Sequence, residues 1–274
     1  MKILILGAKG MLGTGLMQTF LSYNPIGFDL AELDITNHQA LENKLKELNP
    51  DLVINAAAYT KVDDCEKNQQ IAYEVNGRAL GFLAKFCRQL GAKLIHYSTD
   101  YVFDGEKEKG YREDDEPNPL SVYGKSKLEG EKMLAEQTDN FYLIRTAWLY
   151  GQNGPNFVKT MISLSEKQPE LKVVNDQFGN PTYTKDLAEK TKEIIENKKI
   201  KFGIYHVTNS GPCSWYEFAV KIFEILGKDV KITPVTTAEF PRPAKRPKYS
   251  ILRNTKLSDL RPWEEALKEY LKTN

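Results

Sequence analysis

The sequence predicts an α/β protein: a doubly wound parallel sheet of the Rossmann kind with a smaller C-terminal lobe. Three observations predict it. Short β-prone apolar runs alternate with helical periodicity through the first 150 residues. A glycine-rich loop follows the first of those runs. Prolines then crowd the last third, at 155, 169, 181, 212, 234, 241, 243, 247 and 262, where short strand-like and helical runs are broken by loops. The expected division is a dinucleotide-binding domain over 1–150 and a mainly substrate-binding lobe over 151–274, with one strand near 203–207 returning to the sheet.

The elements follow in order. Residues 2–6 form an apolar strand that ends in the glycine loop, and a helix follows from about Met11 to Leu21. Residues 26–28 make a second strand, and a helix near 38–48 has Thr36 and Asn37 as candidate caps. Leu52-Val53-Ile54 reads as a buried strand, followed by a long helix over 69–90 with apolar positions at three and four. Lys93 to Tyr97, a helix over 123–136 and Tyr142 to Ile144 complete the first part. Further strands are expected over 171–174, 203–207 and 230–233, and helices over 157–166, 184–197, 215–226 and 263–271. The loop 104–120, rich in Glu, Asp, Gly and Pro, suits a mobile cover. A parallel sheet binds its ligands beyond the carboxyl ends of the strands, and each motif below falls at such an end.

Composition narrows the function classes. The chain has 274 residues and a formal net charge of +1, which excludes bulk electrostatic nucleic-acid binding. Three cysteines, Cys65, Cys87 and Cys213, form no CxxC pair, and His38, His96 and His206 are scattered, so no metal site and no disulfide framework is expected. The first apolar run is too short for a signal segment, and no stretch of about 18 apolar residues occurs. A cytoplasmic protein with no membrane partner is expected.

Gly7-Ala8-Lys9-Gly10-Met11-Leu12-Gly13 lies between a strand and a helix. Gly7, Gly10 and Gly13 allow a tight turn and let main-chain N–H groups approach a pyrophosphate at the helix N-terminus. The spacing is GxxGxxG rather than GxGxxG. Asp29, 22 residues after Gly7, is placed to bond an adenosine ribose and to repel a 2′-phosphate, whereas Lys9 would attract one. The cofactor is therefore NADH or NADPH, with the preference open.

Tyr123-Gly-Lys-Ser-Lys127 puts a phenol and an amine four residues apart, on one face of a helix. Of 14 tyrosines, Tyr123 alone has lysine at that spacing. An ammonium there would lower the phenol's pKa, leaving Tyr123 able to exchange a proton near neutral pH. Upstream, His96-Tyr97-Ser98-Thr99-Asp100 delivers hydroxyls to the sheet edge, where Thr99 can bond a substrate carbonyl. The basic, proline-rich run around Arg242, Lys245 and Arg246 suits an anionic diphosphate, with Arg246 as the candidate contact.

Asn55-Ala-Ala-Ala-Tyr-Thr60, Ser98-Thr-Asp-Tyr-Val-Phe-Asp-Gly105, Tyr123-Gly-Lys-Ser-Lys-Leu-Glu-Gly-Glu131, Arg145-Thr-Ala-Trp-Leu-Tyr-Gly151 and Pro241-Arg-Pro-Ala-Lys-Arg-Pro247 together resemble the extended short-chain dehydrogenases. More closely they resemble the dTDP-4-dehydrorhamnose reductase family. The resemblance implies reduction of the C4 ketone of dTDP-4-dehydro-L-rhamnose, the last step to a precursor of cell-surface polysaccharide. It implies Tyr123 as proton donor, Lys127 as its partner and Thr99 as the carbonyl-orienting hydroxyl. It further implies Met11, Leu12, Asp34, Ile35, Ala57, Ala58 and Lys127 against the dinucleotide, and Val62, Asp100, Tyr101 and Trp148 around the nucleotide-sugar substrate. Asn76 is either a water organiser near Lys127 or a satisfied helix residue. Some members of the family use a magnesium-mediated dimer contact built from carboxylates. Here position 15 is Gly15, and Lys185-Asp186 offers one carboxylate, so no bound magnesium is expected. The oligomeric state is open, with a homodimer as one assembly. A nucleotide-sugar epimerase or dehydratase of the same fold is the competing enzyme. A non-catalytic NADP-binding regulatory subunit of methionine adenosyltransferase is the competing binding protein, and the intact Thr99, Tyr123 and Lys127 set speaks against it.

Overall fold

The computed structural model describes residues 1–273. Its centre is a six-stranded sheet built from β1 (Ile3–Leu6), β2 (Ile26–Phe28), β3 (Leu52–Asn55), β4 (Lys93–Thr99), β5 (Phe141–Thr146) and the late strand Gly203–His206. The spatial order is Gly203–His206, β5, β4, β3, β1, β2, and all five pairings are parallel. β1 and β3 are buried at every position; β1 is apolar throughout, and β3 is apolar up to its last residue, Asn55. From β1 the chain runs outward to β2 on one side and continues through β3 on the other. The strand order therefore reverses between β1 and β3, and a crevice opens beyond their carboxyl ends.

Side-chain alternation along the strands divides the core into two layers. On one face, Ile3, Ile5, Ile54, Ile95 and Tyr97 pack against Leu12 and Leu16 of helix Met11–Thr19 and Leu187, Ala188 and Ile194 of helix Thr184–Glu196. On the other, Leu4, Leu6, Val53, Leu94 and Leu143 meet Leu41 and Leu45 of helix His38–Leu48 and Leu80, Leu83 and Cys87 of helix Ala79–Leu90. The part beyond 150 thus returns to the sheet twice, as the strand 203–206 and as the helix 184–196. The rest of that part forms its own core of Tyr150, Leu171, Tyr183, Phe218, Ile222, Trp263 and Leu267.

Local sequence fixes the helix ends. Asn37 caps helix His38–Leu48 by accepting from Ala40 N, and Ser121 caps helix Val122–Gln137 by accepting from Gly124 N. Ser214 and Glu217 form a reciprocal capping box on helix Trp215–Leu226. The helix expected over 69–90 starts on time but carries a wide π turn at Glu74–Arg78, between Gln69–Tyr73 and Ala79–Leu90. Such turns occur often at functional sites, and this one holds Asn76.

Candidate active site

Gly7 adopts φ +74°, and a Cβ there would lie 2.7 Å from Ala57 N, so the loops after β1 and β3 touch main chain to main chain. Gly10 N donates to Gly7 O at 3.0 Å, and Thr14 N donates to Gly10 O at 3.0 Å. That turn leads directly into helix Met11–Thr19 and presents its first N–H groups. Asp29 braces the loop, with Oδ2 accepting from Lys9 N and Oδ1 from Leu30 N, both at 2.9 Å. Lys9 Nζ is held by Glu32, whose second oxygen accepts from Asp29 N at 3.1 Å. A cavity of about 570 Å³ gathers Gly7, Gly10, Asp29, Asp34, Ile35, Ala57 and Ala58 around one opening. Its size, its helix N-terminus and its acidic far end fit the adenosine half and pyrophosphate of a dinucleotide.

Met11, Leu12 and Gly13 do not line this cavity. The Met11 side chain lines a separate cleft of about 910 Å³, together with Thr14, Gly15 and Thr184. Leu12 is buried in the sheet core. Gly13 is pressed onto Gly7, where a Cβ would meet Gly7 O at 1.9 Å. What these positions can offer a ligand is the set of N–H groups at the helix start. The helix start turns Leu12 and Gly13 inward and Met11 toward the separate cleft.

The second half of the site is the carboxyl end of β4 against helix Val122–Gln137. Thr99 Oγ donates to Asp100 Oδ1 at 2.9 Å and accepts from Tyr101 N at 3.2 Å. The Tyr123 phenol lies beside the Thr99 hydroxyl, which favours its ionised form, and its ring meets Tyr101 edge-on at 5.8 Å. The expected lowering of that phenol is not found. Burial raises the Tyr123 pKa above its ordinary value; the Thr99 hydrogen bond opposes this and the Asp100 charge adds to it. Tyr123 is thereby kept as a protonated acid. Asp100 itself is held up at about 6 by burial, against hydrogen bonds from Ser250 and Thr99.

Lys127 is 1% exposed. Its Nζ lies 2.7 Å from Tyr97 O and 2.9 Å from His96 Nε2. Burial pulls the amine down to about 8, with Glu131 pulling it up. Glu131 is committed elsewhere: it accepts from Arg145 Nη2 at 2.7 Å and from Ser98 Oγ at 2.5 Å, all three groups being buried. Asn76 does not reach Lys127. Its amide accepts from Tyr59 N at 2.8 Å and donates to Ser126 Oγ at 3.0 Å and to Tyr59 O at 3.1 Å, which makes it the satisfied helix residue. The helix sits very close to its supports. A Cβ on Gly124 would be 2.1 Å from Tyr101 O, and one on Gly130 would be 2.1 Å from Asn76 O.

Of the expected sugar-side residues, Asp100 and Tyr101 follow Thr99 at the end of β4. Arg246 reaches Tyr101, but its guanidinium is already matched by Asp63, with contacts of 2.6 and 3.0 Å, and by Ala244 O at 2.8 Å. The candidate diphosphate contact is thus already held in an ion pair. Arg246 ties the proline-rich segment to the short helix Val62–Cys65, which carries Val62. Trp148, at φ +47°, stacks face to face on Trp215 at 3.5 Å. The sequence reading missed Trp215, His96 and Asn55. A signal for His96 existed: it alternates with Ser98 in a buried strand, and buried polar side chains need partners.

Sheet order, glycine crevice and the Thr99–Tyr123–Lys127 edge define a chain of the extended short-chain dehydrogenase/reductase class. Over residues 1–274 it matches the family described as RmlD substrate binding domain, and it belongs to that family. It is 40% identical to the dTDP-4-dehydrorhamnose reductase of Aggregatibacter actinomycetemcomitans, covering 97% of each chain. It is 43% identical to the spore coat polysaccharide biosynthesis protein SpsK of Bacillus subtilis, covering 98% of this chain and 96% of that one. Among solved structures, the dTDP-4-dehydrorhamnose reductase from Clostridium acetobutylicum superposes with a TM-score of 0.96 at 49% identity, covering 100% of this chain and 99% of that one. The Bacillus anthracis enzyme of the same name, in complex with NADP, gives 0.96 at 41% identity and full coverage of both chains. Among the described residues no helix is long and apolar enough to cross a membrane.

Proposed function

We propose that the chain reduces the C4 ketone of dTDP-4-dehydro-L-rhamnose to dTDP-L-rhamnose, using NADPH or NADH. The names of its full-length relatives support the reaction, and NADP in the Bacillus anthracis neighbour supports the cofactor. The observation that carries the reading is the meeting of Thr99, Tyr123 and Lys127 at the end of β4. When bound, the dinucleotide supplies hydride to the ketone carbon. Charge then develops on the ketone oxygen, and Tyr123, kept protonated by burial, gives that oxygen its proton. The Thr99 hydroxyl orients the same oxygen. Lys127 holds the nicotinamide ribose and the Tyr123 side of the site.

Gly7, Gly10 and the main chain of Met11, Leu12 and Gly13 receive the pyrophosphate, and Asp29 receives the adenosine ribose. Asp34, Ile35, Ala57 and Ala58 flank it. Val62, Asp100, Tyr101 and Trp148 border the sugar, with Arg246 acting through Asp63. On this reading 1–150 holds the dinucleotide and 151–274 mainly holds the nucleotide sugar. A cytoplasmic enzyme, as a monomer or a homodimer, fits such a substrate. The test is NAD(P)H oxidation with the dTDP-4-keto sugar, in the unaltered chain and in Tyr123→Phe. Tyr123→Phe is expected to lose about 10²–10⁴-fold in kcat while cofactor affinity is kept. No turnover by the unaltered chain, or a Tyr123→Phe enzyme with full kcat, refutes the assignment.

A further inference from the structure

Trp148 sits where the two parts of the chain meet. It follows β5, and it packs both on the C-terminal core of Tyr150, Phe218 and Trp263 and on the cluster of Val102, Phe103 and Tyr111 just past Thr99. Its backbone is left-handed, at φ +47°. A bulky residue keeps that conformation only where its surroundings impose it.

The C-terminal part supplies those surroundings. Trp215 lies flat on the Trp148 indole, with ring centroids 3.5 Å apart and planes 7° from parallel. Free aromatic rings choose an offset or edge contact over such a face-to-face stack, so this one is held from outside. Gly179 meets the edge of the same indole: a Cβ there would lie 2.6 Å from Trp148 Nε1 and 2.7 Å from its Cζ2. Trp148 O accepts from Thr182 N at 3.2 Å. Trp215 is itself fixed. Cys213–Ser214 pairs antiparallel with Phe178–Gly179, so both walls around Trp148 belong to one ribbon. Ser214 and Glu217 cap the turn that begins with Trp215, and Phe157 packs on the Trp215 ring at 4.6 Å. Trp148 is half-buried, and its indole N–H has no hydrogen-bond partner among the described residues. Part of the ring and one donor are therefore left for a ligand.

We propose that Trp215 is a positioning residue for substrate recognition: it holds the Trp148 indole in place and so sets the affinity for the nucleotide sugar. The proposal rests on the reading that puts the sugar beside Trp148. The catalytic edge is held by other contacts, Gly124 against Tyr101 O and Lys127 Nζ on Tyr97 O. Loss of Trp215 therefore acts on binding, not on proton transfer. Without Trp215 the indole leaves its place and must be ordered again when the sugar binds. Ordering one such side chain costs about 2- to 12-fold in affinity.

Circular dichroism and binding together test this. Stacked indoles give a paired far-ultraviolet band, expected in the unaltered chain and lost in both Trp148→Leu and Trp215→Leu. Trp215→Leu is expected to raise KM for the keto sugar about 2- to 12-fold while kcat and NADPH affinity are kept. Trp215→Phe, which restores a flat ring, is expected to bring KM back toward the parent value. Calorimetry with dTDP-L-rhamnose reads the same affinities without turnover. No paired band in the unaltered chain, or a Trp215→Leu chain that has lost the band but not the affinity, overturns the proposal. So does a Trp215→Phe chain that binds no better than Trp215→Leu. If Trp215→Leu does not fold, Gly179→Ala decides, because its Cβ displaces the indole from the other wall: a weakened band with unchanged affinity overturns the proposal. Affinity that falls in Trp148→Leu alone overturns it and spares the placement of the sugar, whereas affinity that falls in neither leucine variant overturns both. Absence of NAD(P)H oxidation beside the expected band and affinities refutes the reductase reading and leaves the role of Trp215 standing.

Discussion

Gly10 and Gly13 separate two roles of one loop, binding and packing, and substitution can tell them apart. A Cβ on Gly13 would sit 1.9 Å from Gly7 O, a main-chain atom fixed by β1. Gly13→Ala must shift the helix or the strand, and overpacking of this kind costs about 1–3 kcal/mol, sometimes more. At Gly10 the nearest obstacle is the same oxygen at 3.2 Å, with no other heavy atom within 4 Å. Its backbone is extended, at φ −69° and ψ 172°, so a side chain is tolerated there. Gly10→Val is thus expected to fold and to fill the pyrophosphate end of the 570 Å³ cavity. Each charge-assisted hydrogen bond lost there is worth about 1.5–3 kcal/mol, or about 10- to 150-fold in affinity. Calorimetric titration with NADH and NADPH reads the binding, and thermal unfolding reads the fold. A folded Gly10→Val chain that binds both dinucleotides as tightly as the parent refutes the placement of the pyrophosphate. An unchanged Tm in Gly13→Ala refutes the close contact.

Asp100 titrates at about 6 in the fold, above its unfolded value, so its contribution is full below about pH 4 and is lost as pH rises through 6. That displacement is worth about 3 kcal/mol, so Asp100→Asn should stabilise the chain by up to ~3 kcal/mol in urea unfolding at pH 7 and by little at pH 4; equal effects at both would contradict it. Arg246→Ala and Asp63→Ala should raise KM for the nucleotide sugar together, because the pair holds the proline-rich segment. If only Arg246→Ala raises KM, the guanidinium binds the diphosphate directly. Glu131→Ala leaves Arg145 buried without its carboxylate and should cost about 3–5 kcal/mol in chemical denaturation, whereas a loss below 1 kcal/mol would mean that water replaces it.

Most of the architecture was legible because the strands are short, apolar and bounded by turns. The π turn at Glu74–Arg78 was not, since a one-residue widening leaves helical periodicity nearly intact. Tyr123 and Lys127 were legible from spacing, but the sense of the phenol's shift was not. Spacing reports neighbours along a helix and says nothing of burial, and burial dominates both groups. A further pattern was readable. His96 and Ser98 lie two apart on a strand, Lys127 and Glu131 four apart on a helix, and the two repeats span similar lengths, about 6–7 Å. The structure pairs them in order, His96 with Lys127 and Ser98 with Glu131. The Asp63 partner of Arg246 was not legible, because local charge density cannot reveal a carboxylate 183 positions away. The side-chain directions of Met11 and Leu12 were not legible, because they depend on how the helix docks.

The helix that carries Tyr123 and Lys127 rests on Tyr101 O and Asn76 O through Gly124 and Gly130, backbone against backbone. Its height above the sheet is therefore set by peptide geometry, which exchange of neighbouring side chains does not alter. The Trp148–Trp215 stack and the Arg246–Asp63 clasp, where the proposed function puts the sugar, are built the other way, from replaceable side chains. Descendants of such a chain are free to change what they recognise there while the proton donor stays at the same height. Changes at positions 124 and 130 lack that freedom, because they would move acid and amine as one body.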